Sequence, residues 1–121
     1  MAEKISWNFV TSALNGPNVS GQGELKIDAY DKIGVTIIAG ATQAVNLAPS
    51  GTISFLVINP AVPDVNLTYK GGGSAVALDG PHVLIGTGAV SMIGGATTLT
   101  FTNGTAKDAV IEIMLGRDAT P

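Results

Sequence analysis

The chain has 121 residues, a formal net charge of −3 and no cysteine, which suits one hydrophobic core of ordinary domain size and excludes disulfide frameworks and thiolate metal sites. Its six Lys and Arg are scattered singly, so the clustered positive charge that a phosphate backbone requires is missing, and nucleic acid is not expected as a direct partner. Charged residues make up 12% of the chain, against roughly 25% in ordinary soluble domains.

The first residues place an acid at Glu3 and polar residues in every apolar run, which is neither the basic nor the apolar region of a secretory signal. Ile5, Trp7 and Phe9 alternate with Ser6 and Asn8, predicting a strand with three large side chains on its core face. Asn15-Gly16-Pro17-Asn18 breaks it. Residues 24–28 form the clearest half-exposed strand, with Leu25 and Ile27 inward and three charges outward. Residues 33–39 follow with Ile33, Val35 and Ile37 on one face. The most apolar window, 33–41, is far shorter than the roughly 20 residues of a bilayer span, so no membrane partner is expected. Residues 43–47 are a weaker strand, ended by the turn signal Ala48-Pro49-Ser50-Gly51.

Residues 52–59 put Ile53, Phe55 and Val57 on one face and Leu56 and Ile58 on the other. Apolar side chains on both faces predict cover on both, from a second sheet plus a loop or from a neighbouring subunit. Residues 65–69 alternate strictly and end at Lys70 and the triple glycine 71–73, a predicted mobile loop. Val76 and Leu78 lead to the turn Asp79-Gly80-Pro81; Val83 and Ile85 resume, and 89–93 is a further short apolar piece. The chain closes with the alternating 97–102, then Asn103-Gly104-Thr105, then the apolar 109–115. An Asn-Gly pair between two such runs predicts a hairpin, with a connection longer than two residues. Sixteen glycines and six prolines interrupt any helix of usual length. The expectation is one domain spanning 1–121, all-β, an antiparallel β-sandwich of jelly-roll type, with a small trimeric β-barrel as the alternative.

Two stretches, 33–63 and 80–106, carry no formal charge, and His82 is the only titratable side chain in them. Together they cover nearly half of the chain, which predicts a surface covered by copies of itself or by a larger assembly. The interface is expected at the two-faced strand, through Leu56 and Ile58, and at the uncharged segment of His82, Val83 and Ile85.

Residues that could carry chemistry are few. His82 is the only histidine; a hydrolytic triad would need it beside Ser74 or Ser91, and no strained nucleophile elbow is present. Nitrogen or sulfur metal sites fail on the same count. Asp28 and Asp31 could offer oxygens to calcium, but the twelve-residue calcium loop pattern is absent, and no cofactor is expected. Gly71-Gly72-Gly73-Ser74 lacks the ending of a phosphate loop. Sugar binding needs exposed aromatics. Trp7, Phe9, Phe55 and Phe101 fall on inward phases, leaving Tyr30 and Tyr69 as the pair that could make a carbohydrate platform.

The strand of residues 4–10, the run Ser50-Gly51-Thr52-Ile53-Ser54-Phe55-Leu56-Val57-Ile58-Asn59-Pro60 and the closing residues 109–118, in a small cysteine-free chain rich in Gly, Thr and Ala, resemble tailed-phage virion proteins of the capsid decoration, or cement, type. The resemblance implies a non-enzymatic structural subunit in the virion, a homo-oligomer with a trimer favoured, that clamps capsid or other virion proteins. Charge-poor contacts suit that task because they avoid the desolvation of ions. A carbohydrate-binding, lectin-like module is the alternative function, and the cytoplasm is the alternative location.

Overall fold

The structure, a computed structural model, describes residues 3–47, 52–94 and 98–118. The strands in chain order are β1 (Glu3–Ser12), β2 (Asn18–Ile27), β3 (Ala29–Ile37), β4 (Thr42–Asn46), β5 (Thr52–Pro60), β6 (Asp64–Lys70), β7 (Val76–Leu78), β8 (His82–Ile85), β9 (Thr98–Asn103) and β10 (Ala109–Asp118). A helical turn, α1 (Thr87–Val90), and a 3-10 turn, Ser91–Ile93, stand between β8 and β9. The expected Ala48–Gly51 turn lies outside the described residues.

Eight strands wind into two antiparallel four-stranded sheets, ordered β3-β10-β5-β8 and β4-β9-β6-β7. This is a jelly roll, in which every step along these eight strands crosses between sheets except β6 to β7, which pair within one sheet. The expected sandwich is therefore present, and the sheets do not close into the alternative barrel. Between them lies the main core, in which Ile37, Leu56, Ile58, Leu67, Leu99, Phe101, Ile111, Ile113 and Leu115 are completely enclosed.

The Asn103-Gly104 hairpin does not form. β9 pairs with β4 and β6, and β10 pairs with β3 and β5, so residues 103–109 cross from one sheet to the other. The buried Asn103 amide braces the crossing. It donates to the carbonyls of Ile37 and Lys107 at 2.9 and 2.8 Å, while its oxygen accepts from the Thr105 backbone N–H and hydroxyl. Asp108 adds a bond from the Ala39 N–H at 3.0 Å. The Asn-Gly pair thus serves a side-chain-braced corner, a local bonding pattern that competes with the hairpin turn.

A long hairpin forms instead at β1–β2, ten residues a side in unbroken register from Glu3↔Ile27 to Ser12↔Asn18. Asn15 takes a positive φ of 58° at its end, where short polar side chains tolerate the left-handed region. Ile5, Trp7 and Phe9 share one face, as their alternation predicts. Only the base of the hairpin is packed: Ile5 and Ile27 join Phe55 in a second, smaller core on the outer face of the β3-β10-β5-β8 sheet. Gly116 makes room there, since a Cβ on it would stand 2.8 Å from Ile5 Cδ1.

β5 therefore has both faces covered within one chain, by the opposite sheet and by the hairpin. Its alternation is shifted at one point. Gly116 pairs with Phe55 but Arg117 pairs with Ile53, so Ser54 is an extra residue in the ladder. Such a bulge reverses side-chain parity, and Ile53 joins Leu56 and Ile58 in the main core instead of sharing the face of Phe55 and Val57.

Two loops also depart from expectation. The apolar piece 89–93 is helical, because Val90 and Ile93, three apart, both turn into the core. The triple glycine is a tight packing point, not a mobile tip. The Gly73 N–H donates to the Ile93 carbonyl at 3.1 Å, and a Cβ on Gly72 would collide with the Gly94 carbonyl oxygen.

Candidate functional site

Beyond its base the hairpin overhangs the sheet. The groove-facing stripe of β1–β2 runs Ile27, Leu25, Ile5, Trp7, Phe9 and Val19, and exposure rises along it, from 6% at Ile5 through 43% at Phe9 to 64% at Val19. Leu14, in the connecting turn, is 93% exposed. The reverse face carries the polar residues, with Lys4 and Glu24 paired at 3.5 Å. Residues 5–23 contain no charged side chain.

Two glycines shape the stripe. Trp7 lies opposite Gly23 and Phe9 opposite Gly21, and a Cβ on either glycine would press into the facing ring, at 2.7 Å from Trp7 and 2.9 Å from Phe9. The rings fold across the vacant glycine positions, 6.1 Å apart between centroids and 11° from parallel. Aromatic cover of a cross-strand glycine supplies side-chain packing that the glycine cannot.

Between this stripe and the sheet is a cleft of about 750 Å³, bounded by Trp7 and Phe9 of the hairpin, Phe55 and Val57 of β5, and Val83 and Ile85 of β8. Among the described residues no charged one lines it. Val83, on the edge strand β8, is 54% exposed.

Of the expected interface residues, Val83 and Ile85 meet in this cleft. His82, one residue earlier, faces the other way. Leu56 and Ile58 are wholly enclosed by the chain's own sheets and present nothing to a neighbour. The reason is the sandwich itself: the second apolar face of β5 is the inner one.

The tyrosine pair is likewise separated. Tyr30 is 56% exposed on the edge strand β3, whereas Tyr69 is 1% exposed and packs against Phe101, so Tyr69 cannot stack on a sugar. Its hydroxyl and His82 Nδ1 share a hydrogen bond of 2.6 Å, joining β6 of one sheet to β8 of the other. Burial pushes the Tyr69 hydroxyl up to about 12, because phenolate is poorly solvated there. The Ser91 hydroxyl donates to the Gly88 carbonyl at 2.7 Å, away from any triad with His82. Asp31 faces Arg117 at 3.9 Å, and among the described residues no three His, Asp or Glu gather as metal ligands.

Trp7 and Phe9 are the functional candidates that alternation alone assigned to the core. The available signal was the pair Gly21 and Gly23, which leaves the facing strand without side chains to bury them.

A second cavity, about 380 Å³, lies at the loops around Val62 and Val110 and includes Asp64, Lys107 and Asp108. Its carboxylates brace turns, Asp64 accepting from the Asn66 N–H at 2.8 Å and Asp108 from Ala39. No protein-family model matches the chain, and neither a curated protein nor a solved structure matches it.

Proposed function

We propose that the chain is a non-enzymatic structural subunit that associates with copies of itself and attaches to a larger particle, as the virion-accessory resemblance implies. The observation that supports this reading is the overhanging end of the β1–β2 hairpin, with Phe9 and Val19 exposed on one face and Leu14 exposed in the connecting turn, on a segment without charge. Water-facing apolar groups of this density are characteristic of interaction surfaces. Jelly rolls serve viral capsids and lectins alike, so the fold does not choose between them.

The test is solution mass by size-exclusion chromatography with light scattering at two protein concentrations. A closed oligomer, with a trimer favoured, is the expected result, and a monomer at both concentrations refutes the reading. A glycan-binding reading gains from the near-parallel Trp7 and Phe9 rings rather than from the tyrosines. It predicts that the fluorescence of Trp7, the single tryptophan, shifts on titration with soluble glycans, and an unchanged spectrum across a glycan panel counts against it.

A further inference from the structure

Resting on the self-association reading, we propose that the free end of the β1–β2 hairpin of one copy seats in the Trp7–Val83 cleft of a second copy. Two observations favour a second copy as the occupant. First, the stripe and the cleft are continuous. The side chains that close the smaller core at the hairpin base lead without interruption into Trp7, Phe9 and Val19, which the chain's own sheet leaves increasingly uncovered. An occupant extends a packing pattern that is already half built.

Second, the two surfaces match in charge. Residues 5–23 carry none, and neither does the cleft lining, so seating one in the other strands no ion. The other cavity, with Asp64, Lys107 and Asp108 at its rim, offers no such match. A glycan fits the cleft less well, because its polar lining is confined to Ser6, Asn8 and Thr11, and the Thr11 hydroxyl already donates to the Val19 carbonyl at 2.9 Å. One arm and one cleft per chain make a head-to-tail contact that closes into a ring when the rotation allows it.

The absence of native cysteine makes engineered thiols unique. A tagged Val19→Cys chain is mixed with an untagged Val83→Cys chain and treated with a short bis-maleimide. Both positions are exposed, so neither change disturbs a core. Tagged-to-untagged cross-linking is expected to exceed by about tenfold that between Val19→Cys and Val62→Cys, through the higher effective concentration of a seated arm. Phe9→Asp is expected to abolish the oligomer while leaving the circular dichroism spectrum in place. If the oligomer forms but Val19 cross-links no better to Val83 than to Val62, the arm-in-cleft contact is overturned and self-association stands. If the protein is a monomer at every concentration, both fall; a glycan-induced shift of Trp7 fluorescence in that monomer would identify the cleft's occupant as a sugar instead.

Discussion

Leu56→Ala distinguishes a core residue from an interface residue at the position where sequence and structure differ most. Leu56 has no exposed surface and is flanked in register by Leu115 of β10 and Leu84 of β8. Removing three carbons forfeits about 2.4 kcal/mol of transfer free energy at roughly 0.8 kcal/mol per methylene. A cavity term adds to it, and buried leucine truncations span about 2.7–5 kcal/mol. Two hydrogen-bonded neighbouring strands resist collapse into the void, which places the expected loss at about 3–4 kcal/mol. Against a total stability of about 5–15 kcal/mol the variant remains folded and melts roughly 10–20 °C lower. Urea unfolding followed by circular dichroism measures the loss, with an unchanged denaturant slope showing that the same surface is exposed. A loss below about 1 kcal/mol, or full stability with an altered solution mass, would refute the placement of Leu56 between the sheets.

Asn103→Ala deprives the Ile37 and Lys107 carbonyls of their shared donor and is expected to cost about 1–3 kcal/mol, read as a lower thermal midpoint; an unchanged midpoint would contradict the bracing role. Gly72→Ala drives a Cβ into the Gly94 carbonyl and should cost about 1–3 kcal/mol, whereas Gly34→Ala, with nothing within 4 Å of its Cβ, should be near neutral; equal effects in the same melting assay would contradict the close loop packing. Tyr69 has its ionisation raised from 10.0 to about 12, so the folded state favours the neutral phenol. Its contribution is fully present below pH 10 and is lost as pH rises toward 12. Comparing the alkaline unfolding of the native chain with that of Tyr69→Phe isolates this step, and coincident curves would count against a desolvated hydroxyl.

The sequence by itself determined the class of fold and most of its strands. Short β-branched runs between glycines and prolines can be read as strands because periodicity and breakers are local properties, and the phases of Ile33, Val35 and Ile37 or of Leu25 and Ile27 follow from side-chain alternation alone. The apolar character of both faces of β5 was also legible, as was the conclusion that both must be covered. Which cover lies on which face was decided only in three dimensions. The inner face meets the second sheet and the outer face meets a hairpin made from residues far earlier in the chain, a pairing that no local pattern encodes. For the same reason Leu56 and Ile58 belong to the core, and the Asn103-Gly104 signal yields to a corner held by a buried amide. Ser54 shows the limit most directly: one bulged residue reverses the parity of Ile53, and a bulge depends on the register of the partner strand, which a strand's own sequence does not contain. The candidate site follows the same rule. Trp7 and Phe9 could be assigned to an inward face, but their partial exposure depends on where the covering sheet ends, and that is a property of the assembled fold.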